Sequence, residues 1–222
     1  MAPKLEVVGD ERAAARRAAE LIAAAGAEAV AERDAFALAM SGGRSPWAML
    51  AVLGDLDEMP WERTQLFQVD ERVAAPGSED RNLTHMVLGL SMAHQSTLRP
   101  MPVTQRDLEA AAREYETSLP ERFDLVHLGL GPDGHTASLV PGDPVLEVHD
   151  RRVAITGGEY QGHPRMTLTY PAIDAARQVL WLVTGPEKRD PLAKLLAGDD
   201  SIPAGRVKNE QMIVVADEAA AG

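Results

Sequence analysis

The sequence predicts an α/β fold in which a mostly parallel β-sheet is covered by helices on both faces. The strand candidates are near-continuous apolar runs, they alternate with helical patterns, and Gly and Pro stand mostly singly between these segments. Apolar runs of this kind indicate strands that are buried on both faces, which is typical of parallel sheets. Because no low-complexity linker or repeat divides the chain, we expect a single domain over residues 1–222.

The first part of the chain predicts a long helix followed by a strand–turn–helix unit. Asp10 is a candidate N-cap for an Ala-rich helix that extends to about Arg33. Residues 35–40, AFALAM, are typical of a buried strand, and the SGGRSP segment that follows is typical of a turn. A second helix is expected over residues 46–53, with Ser45 as its N-cap.

The same alternation continues to the end of the chain. The predicted elements are, in order, strand 64–69, helix 82–90, helix 107–119, strand 123–131, strands 152–156 and 166–170, strand 179–185, helix 186–196 and strand 211–217. Ligands of open parallel sheets bind at the carboxyl ends of the strands. We therefore look for a site in the segments that follow Met40, Val69, Leu130 and Val183.

Composition and charge exclude several classes of function. The chain has no cysteine, which excludes disulfides, thiolate metal sites and a cysteine nucleophile. A formal net charge of -12 disfavours nucleic acids and anionic membranes as partners. No apolar stretch is long enough for a signal peptide or a membrane span. We expect a cytoplasmic protein, a monomer or weak homo-oligomer, that binds a small molecule and no metal.

Polar and charged residues gather in the four segments that follow predicted strands. These are SGGR at 41–44, DERV at 70–73, GPDGH at 131–135 and GPEK at 185–188. The SGGRSP turn places backbone N–H groups at the start of a helix, where they and the helix dipole suit an anion such as phosphate. An ordinary tight turn is the alternative for this segment taken alone.

Asp133 and His135 form a candidate general base with its orienting group. An unperturbed histidine has a pKa of about 6.5 and can take a proton from water, while a neighbouring carboxylate fixes its tautomer. An Asx-turn with an exposed histidine is the alternative. The remaining histidines are expected to be a packed strand residue, His127, surface residues, His85, His94 and His149, and His163, whose place is left open.

Three cations, Arg72, Arg165 and Lys188, stand next to predicted strands. Each alone is typical of a solvated surface charge. In so acidic a chain, an anionic substrate would need a local cation cluster, because exposed charges are screened beyond about 8–10 Å. No HExxH, GxGxxG or GxxxxGK[ST] motif occurs, so metal, dinucleotide and P-loop sites are not predicted.

Five segments, in this order, also resemble the 6-phosphogluconolactonase family: SGGRSP, QVDERVAAPGSEDRN, FDLVHLGLGPDGHTASLVPG, PRMTLTYPAID and GPEK. The similarity extends from about Ala35 to Asp217, and GPDGHTASLVPG is its most specific part. The resemblance implies a three-layer, Rossmann-like fold of the glucosamine-6-phosphate deaminase type. It also implies hydrolysis of 6-phospho-D-glucono-1,5-lactone to 6-phospho-D-gluconate in the oxidative pentose phosphate pathway, without a cofactor.

The resemblance also implies roles for individual residues, with His135 as the base that activates water. The candidate catalytic residues are His135, Asp133 and Arg72, and the candidate residues for substrate and phosphate are Ser41, Gly42, Gly43, Arg44, Asp70, Asn82, Arg165 and Lys188. The oxyanion would be stabilised by Arg72 or by backbone N–H groups. Arg44 and Arg81 stand where the family commonly has uncharged residues, and both add positive charge.

Two other functions are open on the sequence. A glucosamine-6-phosphate deaminase would need a further acid close after the histidine, commonly as Asn-Glu-Pro, whereas Ala137, Ser138 and Leu139 follow here and the next carboxylate is Asp143. A non-catalytic sugar-phosphate sensor would carry a DNA-binding helix pair and can lose the base, whereas this acidic chain keeps His135.

Overall fold

A computed structural model of the protein describes residues 3–222. Its strands are β1 (Lys4–Val8), β2 (Phe36–Met40), β3 (Thr64–Gln68), β4 (Asp70–Arg72), β5 (Leu98–Arg99), β6 (Leu125–Gly129), β7 (Val153–Ile155), β8 (Arg165–Leu168), β9 (Gln178–Val183) and β10 (Met212–Asp217). The main sheet is parallel, with the order β1–β10–β9–β6–β2–β3–β5. A second, antiparallel sheet has the order β4–β8–β7.

Helices cover both faces of the main sheet. They are α1 (Glu11–Arg33), α2 (Arg44–Gly54), α3 (Asn82–Gly89), α4 (Leu108–Ser118), α5 (Tyr170–Asp174), α6 (Arg189–Ala197) and α7 (Glu218–Ala221). One hydrophobic cluster joins α1, α2 and α3 to one face of the sheet, and the other joins α4, α6 and the second sheet to the opposite face. The predicted α/β fold with a mostly parallel, doubly covered sheet is therefore confirmed. No helix within residues 3–222 is long and apolar enough to cross a membrane.

The long helix α1 forms where its sequence predicts it. The Asp10 carboxylate accepts a hydrogen bond of 2.7 Å from the backbone N–H of Ala13, which satisfies one of the free donors of the first turn. The buried side of α1 consists mainly of alanines, including Ala14, Ala18 and Ala19. Because alanine has so small a side chain, the helix can pack closely against α2 and the sheet.

The predicted N-cap of the second helix was wrong. Helix α2 begins at Arg44, and Gly43 occupies the cap position with a φ of 128°, a conformation that favours glycine. Ser45 lies inside the first turn instead. Its hydroxyl donates to Glu11 Oε1 at 2.8 Å and lies 2.7 Å from the hydroxyl of Thr184, so it ties α2 to α1 and to the end of β9.

Besides the mostly parallel sheet that the sequence predicts, the protein has a separate antiparallel sheet that was not predicted. The strands predicted at 152–156 and 166–170 pair antiparallel with each other as β7 and β8. Strands β1, β4 and β5 were not predicted from the sequence. The DER segment that forms β4 is charged, and β5 has only two residues, so neither has the apolar run that identifies a buried strand.

Val69 joins the two sheets and so determines where the site lies. Its N–H donates to the Met40 carbonyl in the main sheet at 3.0 Å, and its carbonyl accepts from the N–H of Leu168 in the second sheet at 2.8 Å. The chain therefore passes from the carboxyl end of β3 directly into β4. This connection places the second sheet beside the carboxyl ends of the main sheet.

Candidate active site

A cleft of about 320 Å³ lies where the carboxyl ends of β2, β3, β6 and β9 meet the second sheet. Its walls include Ser41, Gly42, Gly43, Arg44, Asp70, Arg72, Asn82, His135, Arg165 and Lys188. Every candidate residue except Asp133 therefore lines this cleft, and Asp133 contacts His135 next to it. The four strand-end segments chosen from the sequence meet as the carboxyl-end rule predicts. Arg165 reaches the cleft from a different direction, since it begins β8 of the second sheet.

Asp133 holds the imidazole of His135 through a short hydrogen bond. The distance from Nδ1 to Asp133 Oδ1 is 2.5 Å, and the backbone N–H of His135 donates to the same oxygen at 3.1 Å. This contact with His135 holds the pKa of the Asp133 carboxyl well below its usual range. An ionised carboxylate only accepts hydrogen bonds, so Nδ1 carries the proton and Nε2 keeps its lone pair. None of the side chains and backbone groups that the structure describes hydrogen-bonds Nε2, which leaves this nitrogen able to act as a base.

Gly131 makes this arrangement possible. A Cβ at this position would lie 2.0 Å from His135 Nδ1 and 2.6 Å from Asp133 Oδ1. The N–H of Gly131 also donates to the His135 carbonyl at 2.8 Å, which closes the turn around Gly134 with its φ of 82°. The glycines of GPDGH thus allow the histidine and its carboxylate to fold back against the chain.

Tyr160 also contacts this pair, and sequence reasoning missed it. Its hydroxyl donates to Asp133 Oδ2 at 3.1 Å and lies 3.3 Å from His135 Nδ1. The tyrosine ring meets the imidazole edge to face, with centroids 5.1 Å apart. No spacing in the sequence marks this residue, because the turn between β7 and β8 brings it to the pair from 25 residues away.

Arg72 and Arg165 are direct cross-strand partners in the second sheet. Arg72 donates to Asn82 Oδ1 at 2.8 Å and to the Asp80 carbonyl at 3.0 Å, and Arg165 donates to the Tyr160 carbonyl at 2.8 Å. The Nε atom of each arginine is buried without a hydrogen-bond partner. Burial lowers the pKa of the Arg165 guanidinium; the Asp70 carboxylate, 3.9 Å away, acts in the opposite direction, and the charge of Arg72 acts in the same direction as burial. Two adjacent, incompletely paired cations in a cleft favour an anionic ligand.

Two further cations lie around the cleft. Lys188 ends a short 3₁₀ helix that follows β9, and its side chain is only 17% exposed. Burial lowers the pKa of Lys188, while the charges of Glu187 and Asp133 act in the opposite direction. The Arg44 side chain is 80% exposed and lies 3.4 Å from Glu11 Oε1, so Arg44 stands at the mouth of the cleft.

The other candidate residues mainly build the wall of the cleft. Asp70 accepts hydrogen bonds from the Ser138 hydroxyl at 2.6 Å and from the Asn82 amide at 3.3 Å. Ser41 donates from its hydroxyl to the His127 carbonyl at 3.2 Å. A Cβ on Gly42 would lie 1.9 Å from Asn82 Oδ1, so glycine is required where the SGG turn meets Asn82.

Glu71 is a second residue that sequence reasoning missed. Its carboxylate is completely buried and accepts from the backbone N–H groups of Arg72, Asn82 and Leu83 at 2.7–2.9 Å. It also lies 3.4 Å from the guanidinium of Arg81, which explains how the charge of Arg81 is accommodated. The sequence analysis selected Asp70 and Arg72 from the DER segment as candidate site residues, but it did not select Glu71 between them.

The remaining histidines lie outside the cleft. His127 is completely buried on β6, as predicted, and His149 is exposed. His85 and His94 are half-buried and stack on Trp47 and Trp61, which corrects the expectation that both are surface residues. The fifth, His163, lies 3.4 Å from the Asp80 carboxylate.

The fold and the cleft define an α/β protein that presents a carboxylate-bound histidine and several cations to one small polar cavity. The family model for glucosamine-6-phosphate isomerases/6-phosphogluconolactonase matches residues 9–215. The chain belongs to this family. The resemblance recognised in the sequence is thereby confirmed, as is the expectation of an enzyme of this class.

Individual relatives agree with the family assignment. The chain is similar to a 6-phosphogluconolactonase of Synechocystis sp., with 36% identity over 210 residues, 89% of this chain and 86% of the relative. A solved 6-phosphogluconolactonase from Thermotoga maritima matches at 27% identity and a TM-score of 0.85, covering 97% of this chain and 99% of that one. A solved monomeric glucosamine-6-phosphate deaminase shares the fold at 19% identity and a TM-score of 0.81, covering 98% of each chain.

Proposed function

We propose that the protein hydrolyses 6-phospho-D-glucono-1,5-lactone to 6-phospho-D-gluconate, with His135 activating the attacking water. The observation that carries this proposal is the 2.5 Å contact between Asp133 and His135 Nδ1, which leaves Nε2 unpaired in the cleft that Arg72, Arg165 and Lys188 line. The named activity of the Synechocystis relative supports the reaction class. In this proposal the enzyme acts without a cofactor, in the cytoplasm, within the oxidative pentose phosphate pathway.

The chemistry needs one group that first accepts and then donates a proton. Nε2 of His135 removes a proton from water as the water oxygen attacks the lactone carbonyl carbon, and a tetrahedral intermediate forms. The intermediate collapses when the bond between this carbon and the ring oxygen breaks. The imidazolium of His135 returns its proton to the ring oxygen, which becomes a hydroxyl. Asp133 stabilises the imidazolium during both steps, and no covalent enzyme intermediate is required.

The cations of the cleft have two roles in this proposal, phosphate binding at one end of the substrate and oxyanion stabilisation at the other. In this proposal Arg165, Lys188 and the SGG turn at 41–43 bind the phosphate and thereby orient the lactone. Arg72 stabilises the developing oxyanion. Its guanidinium is fixed by Asn82 and the Asp80 carbonyl, so it needs no reorganisation when the charge forms.

Acid release from freshly prepared 6-phosphogluconolactone tests the proposal, after subtraction of the spontaneous opening of the lactone. General acid–base catalysis contributes about 100- to 10,000-fold, so His135→Ala should lose kcat by such a factor with its fold intact. His149→Ala is the matched control, since His149 is exposed and outside the cleft. A wild-type protein that releases ammonia from glucosamine 6-phosphate but no acid from the lactone would overturn the proposal. A fully active His135→Ala variant would remove His135 from it.

A further inference from the structure

The turn between β7 and β8 holds Tyr160 in a defined position. The backbone N–H of Tyr160 donates to the His163 carbonyl at 3.0 Å, and the two residues between them, Gln161 and Gly162, have φ angles of 53° and 82°. Positive φ at both central positions is the requirement of the type I′ turn, whose twist matches that of a hairpin. The turn therefore fixes the direction in which Tyr160 leaves the backbone.

Tyr160 contacts both the Asp133–His135 pair and the Arg165 guanidinium. On one side its hydroxyl donates to Asp133 Oδ2, while Asp133 Oδ1 binds His135. On the other side the guanidinium carbon of Arg165 lies 5.4 Å from the centre of the tyrosine ring, at the distance of a cation–π contact. The same guanidinium donates to the backbone carbonyl of Tyr160 at 2.8 Å. The hydroxyl thus contacts Asp133, whereas the ring contacts the Arg165 guanidinium as well as the His135 imidazole.

The hydroxyl is suited to act as a permanent donor. Burial raises the pKa of Tyr160 above its ordinary value, and the Asp133 charge acts in the same direction. The hydroxyl therefore keeps its proton at neutral pH and can donate it to the Asp133 carboxylate. It therefore shares the carboxylate of Asp133 with the imidazole and takes up part of its negative charge.

We propose that Tyr160 is a positioning residue that links the arginine wall of the cleft to the Asp133–His135 pair. Its hydroxyl sets the orientation of the carboxylate and limits how strongly the carboxylate favours the imidazolium form of His135. Its ring supports the Arg165 guanidinium from one face. The kinetic part of this inference rests on the proposed lactonase function, whereas the effect on His135 does not.

Two substitutions separate the hydroxyl from the ring. Tyr160→Phe removes only the hydroxyl, so kcat should fall about 10-fold, as expected for a lost hydrogen bond to a charged group, while KM stays unchanged. Without the hydroxyl, Asp133 acts more fully on the imidazole, so the acid limb of the pH–rate profile should move to higher pH. Tyr160→Leu removes the ring as well and should also raise KM for the phosphorylated lactone. Tyr170→Phe is the control, because its hydroxyl bonds the Pro203 carbonyl away from the cleft.

An NMR titration of the His135 imidazole tests the same inference without any activity measurement. The resonance is assigned with His135→Asn, and its midpoint in the Tyr160→Phe variant should lie at higher pH than in the wild type. An unchanged midpoint overturns the inference, whatever happens to kcat, and so does a wild-type kcat in the Tyr160→Phe variant. If the wild type shows no lactonase activity but the midpoint still moves, the proposed function fails and the link between Tyr160 and His135 stands.

Discussion

The buried carboxylate of Glu71 accepts the backbone N–H of Asn82 at 2.7 Å and thereby connects strand β4 to the start of helix α3. Helix α3 has no side-chain cap of its own from Arg81, and Glu71 also accepts the next N–H, that of Leu83. The side chain of Asn82 in turn accepts from Arg72 at 2.8 Å. A carboxylate that never reaches the cleft therefore fixes the arginine to which we assign the oxyanion.

Glu71→Gln should destabilise the fold and weaken catalysis together. The Glu71 carboxylate accepts hydrogen bonds from three backbone N–H groups. The side-chain amide of glutamine would replace one acceptor oxygen by an NH₂ donor that faces these N–H groups, and the ion pair with Arg81 would be lost. A buried group left unsatisfied costs about 1–3 kcal/mol, which urea unfolding measures as a lower midpoint. Glu79→Gln is the control, because the Glu79 side chain is exposed. Equal midpoints for the Glu71→Gln variant and the wild type would contradict the capping role.

Arg165→Ala and Lys188→Ala should act mainly on the recognition of phosphate. A charge-assisted hydrogen bond contributes roughly 1.5 to 3 kcal/mol, so each variant should lose about 10- to 100-fold in kcat/KM for the phosphorylated lactone. Rates on unphosphorylated gluconolactone should change little, so the preference for phosphate is lost. Lys194→Ala removes the same charge from an exposed position on α6 and should leave both rates unchanged. Variants that retain the full preference would transfer phosphate binding to the SGG turn and Arg44.

Gly131→Ala should abolish most activity without unfolding the protein. The new methyl group would lie 2.0 Å from His135 Nδ1, so the imidazole must leave Asp133. The expected loss in kcat approaches that of His135→Ala. Gly9→Ala adds the same methyl group where no atom lies within 4 Å, and it should keep wild-type kcat. A crystal structure of the Gly131→Ala variant with the Asp133–His135 contact intact would show that the steric argument fails.

His127 should make the protein less stable in acid. Burial lowers the pKa of His127 to about 3, and both ring nitrogens lack hydrogen-bond partners. In the unfolded chain, His127 binds a proton when the pH falls below the ordinary histidine pKa of about 6.5, whereas in the folded protein it does not. The free energy of unfolding should therefore fall as pH decreases from about 6.5 toward 3, by up to about 1.4 kcal/mol per pH unit.

The substitution His127→Leu removes this proton uptake. Urea unfolding at a series of pH values should give a flatter dependence for this variant, and a higher stability near pH 5, because no polar ring is left unsatisfied. His149→Leu, at an exposed position, should keep the wild-type slope. Parallel curves for the wild type and the His127→Leu variant would assign the acid sensitivity to other groups.

Short sequence patterns predict the strands and turns that surround the cleft, but they do not predict the side-chain contacts between these elements. The apolar runs of β2, β6 and β9 identify buried strands, and the carboxyl-end rule then brings SGGR, GPDGH and GPEK to one edge. Glu71 and Tyr160 could not be chosen in this way. Their partners depend on the second sheet, whose short, charged strand β4 has no apolar pattern, and on a turn whose position follows from strand pairing distant in sequence.

The joint at Val69 has a consequence for how such a protein can diversify. The proton-transfer pair follows strand β6 of the main sheet, whereas the paired arginines belong to the smaller sheet beyond the joint. If the protein acts as we propose, insertions or exchanges in the exposed tip of the β7–β8 hairpin should change how the substrate fits beside Arg165, while Asp133 and His135 keep their backbone support. The hairpin around Arg165 can thus change while the segment that holds Asp133 and His135 stays the same, and Tyr160 is the side chain through which a change in the hairpin would reach that pair.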